Sequence, residues 1–173
     1  MTGALAWPLT LLVAVVLLRN PLSDLLRLLT KVKYGSMEME FNREVNQLSQ
    51  TVNAELPSSS ASQEEQQMYE KLLQLAVAAP QSAVIEAWRQ IENRLVDLAR
   101  EHNLEVAPRV WTMPLILSSF MLDKGLVTES QDNTIMRAKA LRDRAVYTKD
   151  MQLSAEEAVN YVNLAISLAA SIK

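Results

Sequence analysis

The sequence predicts an all-α protein: an N-terminal transmembrane helix and an amphipathic stem, followed by an up-and-down bundle of about five helices. Three observations lead there. Apolar residues recur at three- and four-residue intervals along most of the chain. Glycine is scarce, at 3 of 173 residues, and alternating β-branched runs are few. Three of the periodic segments open on a Ser or Thr followed three residues later by Glu or Gln, the spacing of a capping box.

Composition narrows the chemistry. There is no cysteine, which excludes disulfides, thiolate metal sites and a Cys nucleophile, and suits a reducing compartment. A single histidine, His102, excludes any site needing two per chain. Neither a P-loop nor a Gly-x-Gly-x-x-Gly fingerprint is present. A net charge of −3 provides no global basic field, so any nucleic-acid binding must be local.

Residues 1–20 open with "MTGALAWPLTLLVAVVLL", which has no charged side chain and carries Trp7 near one end. Eighteen helical residues cover about 27 Å, close to a hydrocarbon core of about 30 Å. The basic residues Arg19, Arg27, Lys31 and Lys33 follow the apolar run, whereas a signal peptide carries its basic segment first. This order predicts a single-pass membrane anchor, amino terminus outside and body cytoplasmic. The alternative is a hydrophobic helix inside a soluble oligomer.

Residues 21–34 restart after Pro21 with Leu22, Leu25, Leu26, Leu29 and Val32 on one helical face. That pattern fits an interfacial helix against membrane lipid, or a helix packed on its own bundle. In residues 35–56, Met37, Phe41, Val45, Leu48, Val52 and Leu56 form a stripe that reads as a stem helix. It should pack on another helix, for which a second chain is one source; the alternating "MEMEF" at its start also suits a short strand. Residues 57–63, "PSSSASQ", read as a linker ahead of a bundle over residues 64–173.

Within the bundle, Ser62 with Glu65 caps a helix carrying Met68, Leu72, Leu75 and Ala79. Pro80 suits the first turn of the next, whose stripe of Val84, Trp88, Ile91, Leu95, Leu98 and His102 ends near Asn103. Thr112, as a cap before Met113-Pro114, opens the short apolar helix "LILSSFML", which stops at Gly125. Thr128 with Gln131 starts a helix lined by Ile135, Ala138, Leu141 and Ala145. Ser154 with Glu157 starts the last, lined by Ala158, Tyr161, Ala165, Leu168 and Ile172. Glu86, Glu92 and Asp97 read as a solvated helix face, and His102 as core packing or a helix end rather than a base. No carboxylates are spaced for a metal, and no cofactor is expected.

The order "PQSAVIEAWRQIENRLVDLA", "LDKGLVT", "IMRAKALRDRAVYT", "LSAEEAVNYVNLAISLAASI" resembles the HEPN family of small helical bundles, over roughly residues 69–172. The leader with "KVKYGSMEMEF" is similar to a recurrent bacterial membrane leader ahead of cytoplasmic domains, which implies that the anchor sits in a bacterial inner membrane. Active HEPN ribonucleases pair an arginine with a histidine about a turn further along, and two such helices meet across a dimer. On that pattern Arg142 takes the arginine place, Asp143 the polar place after it, and Tyr147 the histidine place. An ordinary phenol, with a pKa of about 10, is about one part in a thousand ionised at pH 7, so it makes a poor general base.

The resemblance therefore implies a self-associating interaction or sensor module in a stress or phage-defence setting, non-catalytic, with RNA or nucleotide bound through Arg142, Arg144 and Tyr147. A partner protein encoded nearby is a further expectation. Three alternatives stay open at this point: a purely structural role for the arginines at a helix end, with Asp143 and Asp150 as ion-pair partners; a membrane-tethered ribonuclease toxin; and a membrane-disrupting effector triggered through the bundle.

Overall fold

A computed structural model describes residues 39–52, 62–148 and 151–173. The expected transmembrane and interfacial segments, and most of the Ser-rich linker, lie outside the described residues. Among the described residues no helix is long and apolar enough to cross a membrane.

The described chain is helical, with no strand. Helix α1 covers residues 39–51; α2 is Gln63–Ala78, α3 Pro80–Glu101, α4 Pro114–Asp123, α5 Glu129–Tyr147 and α6 Ala155–Ser171. A 3₁₀ turn, Val110–Thr112, precedes α4. All three expected capping boxes form: Ser62 with Glu65, Thr128 with Gln131, and Ser154 with Glu157. In each, the cap hydroxyl accepts from a backbone N–H that would otherwise lack a partner, and the acid or amide side chain accepts from the cap's own N–H.

Two helices end in the same way. After α3, Asn103 adopts φ 50°, and the N–H groups of Leu104 and Asn103 donate to the carbonyls of Ala99 and Arg100 at 2.9 and 3.0 Å. After α4, Gly125 at φ 72° lets Leu126 and Gly125 donate to Met121 and Leu122, both at 2.9 Å. These are Schellman closures, in which a residue tolerant of left-handed backbone turns the chain back on the last carbonyls. One expected cap differs. Thr112 belongs to the 3₁₀ turn, where its hydroxyl donates to the Arg109 carbonyl, and Met113 occupies the cap position without a side-chain bond. Pro114 at the first helical position needs no N–H partner, so the missing cap leaves one fewer donor orphaned there.

The core is centred on α3, which packs against α2, α4, α5 and α6. Its expected stripe is fully buried from Val84 through Trp88, Ile91 and Leu95 to Leu98; His102 is exposed at the helix end. Helix α6 buries Ala158, Tyr161, Ala165 and Leu168, with Ile172 buried just past its end, as the periodicity predicts, and also Val162 and Leu164 on adjoining faces. Each fully buried Leu, Ile or Phe contributes about 1.5–3 kcal/mol of hydrophobic stabilisation. The polar side chains of α6 reach sideways. Asn160 donates to Asn42 of α1 at 2.9 Å, and Asn163 accepts from the Tyr69 hydroxyl of α2 at 2.7 Å.

Helix α1 is part of this bundle. Phe41, Val45 and Leu48, the middle of the predicted stem stripe, are 0–1% exposed. The Phe41 ring stacks on Tyr161 with centroids 6.3 Å apart. The stem thus finds neighbours in α5 and α6 of its own chain, and residues from Glu40 onward form one compact unit. Met39 to Phe41 are helical, so the alternation seen in "MEMEF" does not produce a strand there.

Phe41→Ala should lower the stability of the bundle by about 3–5 kcal/mol, measured by chemical denaturation. Met39→Ala, which changes an exposed side chain of the same helix, should shift it by less than about 0.5 kcal/mol. Equal and small effects would mean that α1 contributes nothing to the core.

Candidate functional site

The site predicted from sequence lies in the carboxyl-terminal half of α5. This helix turns Ile135, Ala138, Leu141 and Ala145 into the core. Arg142, one residue beyond Leu141, therefore emerges at the edge of the buried stripe, and its side chain is 19% exposed. Its Nη1 donates to Asp143 Oδ1 at 2.8 Å and to the Tyr147 hydroxyl at 3.4 Å. The guanidinium carbon also stands 5.6 Å from the centroid of the Tyr147 ring, within cation–π range. Tyr147 itself is 71% exposed and presents its ring to solvent.

Asp143 is shared between two cations. Lys139, one turn earlier, donates to Oδ2, while Arg142 holds Oδ1. Burial pushes the Asp143 carboxyl upward, but the hydrogen bonds and charges of Lys139 and Arg142 outweigh it and hold the group below the usual carboxylate range. The hydrogen bond from Arg142 to Asp143 raises the guanidinium further above its ordinary value, against the opposing effect of burial. A carboxylate held by two cations binds protons poorly, so it is ill suited to act as a general base near neutral pH.

Beneath this surface the Tyr161 hydroxyl donates to the Ala138 carbonyl at 3.0 Å. Burial pushes that phenol far above its ordinary pKa, with Arg142, Asp143 and Glu92 as the charges that act on it. Tyr161 is thus a neutral structural hydroxyl.

The structure brings together two of the three expected binding residues. Arg144, two positions from Arg142 and so on a different side of the helix, turns toward α1. Its Nη1 and Nη2 lie 3.9 and 3.7 Å from carboxylate oxygens of Glu40 and Glu44. Arg137 approaches Glu44 at 3.4 Å. The partners of Arg144 stand about a hundred positions away in sequence, and no local spacing signals them. Two guanidinium atoms, Arg142 Nε and Arg144 Nη1, are buried with no hydrogen-bond partner among the described residues.

His102 is the exposed residue closing α3, positioned by a backbone hydrogen bond to Leu98, so of the two roles foreseen it takes the helix end and not the core. Among the described residues, no group of three or more His, Asp or Glu side chains is placed to hold a metal ion. What the Arg142–Tyr147 pair can do chemically is limited and definite: a braced guanidinium donates to an anionic oxygen, and an exposed ring offers a flat face for stacking. Comparison with known proteins finds no family model, no curated protein and no solved structure that matches the chain.

Because folding lowers the Asp143 pKa, the stabilisation from its ion pairs is complete above the unfolded-state value of about 4 and is lost as pH falls through the lower, folded-state value. The stability difference between the parent and Asp143→Asn should therefore shrink as pH is lowered from about 5 to about 2, measured by denaturant titration at each pH. A difference independent of pH would mean that the carboxylate gains nothing from Lys139 and Arg142.

Proposed function

We propose that this chain is a membrane-anchored interaction module. Its apolar leader holds it at the inner face of a bacterial membrane, and its HEPN-like bundle self-associates and receives RNA or a nucleotide without cleaving it. The observation that carries the reading is the Arg142–Tyr147 pair: a guanidinium fixed by Asp143 at 2.8 Å beside an aromatic ring that is 71% exposed. Such a pair suits a phosphate next to a stacked base.

Three further features support a non-catalytic role. The position where the family resemblance expects histidine holds Tyr147, the neighbouring carboxylate is engaged by two cations, and Arg144 faces the acids of α1. The uncharged run over residues 1–18, with basic residues after it, supports the anchor. Self-association is supported by apolar side chains left in solvent on the bundle, Met113 at the start of α4, Ile116 on α4 and Met136 on α5, which are 42–51% exposed. The stress or phage-defence setting rests on the family resemblance alone.

Binding of a short single-stranded RNA to the full chain in detergent, read by fluorescence polarisation, tests the site. Arg142→Ala and Tyr147→Ala should each weaken binding about tenfold, corresponding to about 1.4 kcal/mol, and the RNA should stay intact. Cleavage by the parent that Arg142→Ala abolishes would replace this reading with a ribonuclease. Unchanged affinity in both variants would remove the site. Light scattering of the same preparation should give a dimer or larger assembly at micromolar concentration, and a monomer would overturn the self-association.

A further inference from the structure

The carboxylates of α3 are paired one by one, with a single exception. Glu86 pairs with Arg89 at 3.4 Å, Asp97 with Arg100 at 3.7 Å and Glu101 with Arg94 at 3.0 Å. Glu92 has no cation partner among the described residues and is half-buried, as Glu86 is, whereas Asp97 and Glu101 are exposed. The spacing on α3 predicts it on a solvated face; instead its Oε1 accepts from the indole Nε1 of buried Trp88. The other oxygen, Glu92 Oε2, accepts no hydrogen bond from a described residue, which leaves an anionic acceptor available to a ligand.

Glu92 borders a cavity of about 320 Å³ between α3, the 3₁₀ turn and α4. Trp111 of the turn and Pro114 form flat apolar walls, Val96 and Leu117 line it further, and Asn93 adds a carboxamide that makes no side-chain hydrogen bond to another described residue. No lysine or arginine lines this space, so its formal charge is that of Glu92 alone. The Trp111 ring already attracts a guanidinium, since Arg100 lies 6.0 Å from its centroid, yet Arg100 is not among the groups lining the cavity. The volume falls at the lower end of small-molecule sites, which range over about 300–1,000 Å³.

We propose that this cavity is a binding site for a small, flat organic cation of the amidinium or guanidinium class, with Glu92 as counter-ion, Asn93 as a carbonyl acceptor and Trp111 as the aromatic wall. An amidinium presents two parallel N–H donors that match a carboxylate oxygen and a neighbouring amide oxygen, and its positive plane suits the face of an indole. The site is separate from the Arg142–Tyr147 pair and does not depend on the function proposed for it.

The test uses a pair of probes of nearly equal shape and different charge, benzamidine and neutral benzamide, titrated calorimetrically into the full chain in detergent. The parent should bind benzamidine at least about tenfold more tightly than benzamide. Glu92→Gln keeps an acceptor for the Trp88 indole and should bring the two affinities within about threefold of each other. Trp111→Leu should weaken both probes about fivefold or more and serves to locate the site if Glu92→Gln does not fold. Absence of benzamidine binding, equal affinity for the two probes in the parent, or a preference that survives Glu92→Gln or an affinity untouched by Trp111→Leu would overturn the proposal.

Discussion

Two large aromatic side chains with polar tips, Trp88 on α3 and Tyr161 on α6, are buried to 1% and 0% exposure, and much of the molecule follows from satisfying them. An indole N–H or a phenol left without an acceptor in the core would cost about 1–3 kcal/mol. The indole takes Glu92 one turn along its own helix, and the phenol takes the Ala138 carbonyl of α5. The first contact draws a carboxylate off the solvated face of α3 and leaves it at the mouth of a cavity. The second pins α5 against α6 at Ala138, so that the next turn of α5 lifts Arg142 out at the edge of the core. Both chemically loaded regions of the bundle thus originate in one requirement of its interior.

Charge is distributed over α5 by direction. Lys139 and Arg142 converge on Asp143 along one side, while Arg137 and Arg144 face Glu40 and Glu44 of α1 on another. The two sides differ in quality. The Arg142–Asp143 hydrogen bond of the first is 2.8 Å long, whereas the contacts to α1, one of them the hydrogen bond from Arg137 to Glu44, run from 3.4 to 3.9 Å; each side leaves one buried guanidinium nitrogen without a hydrogen bond. Attachment of α1 therefore relies on Phe41, Val45 and Leu48, with the ions contributing the smaller share, as expected for loose and partly exposed pairs.

What could be read from the sequence was local. The three capping boxes, the start at Pro80 and the stop at Gly125 depend on residues within about five positions of one another, and each appears where its spacing puts it. The stripes of α3 and α6 were equally legible, because a buried helical face repeats within a turn. Misread details arose where that rule met a boundary or a distant partner. The α3 stripe loses His102 because the Schellman closure at Asn103 ends the helix just before the next core position. Arg142 and Arg144 look like one cluster in sequence, yet two steps along a helix separate their directions. The Trp88–Glu92 contact did have a signal, a donor and an acceptor four residues apart on one helix; a charge pattern read without its aromatic neighbour conceals it. The attachment of α1 to α5 and α6 had none, since Asn42 and Asn160 are 118 positions apart.

Helix α6 buries side chains of very different size, from Ala158 and Ala165 to Tyr161 and Leu168, so its core surface is uneven along the axis. A shift of one turn against the neighbouring helices would set large side chains where small ones sit, at a cost in packing. Asn160 and Asn163 resist this from two sides, one held by α1 and the other by α2. A slide of one turn, about 5.4 Å, would break both bonds at once. The two amides thus act as index marks, adding polar bonds to the one alignment that Tyr161 and the uneven core face already select.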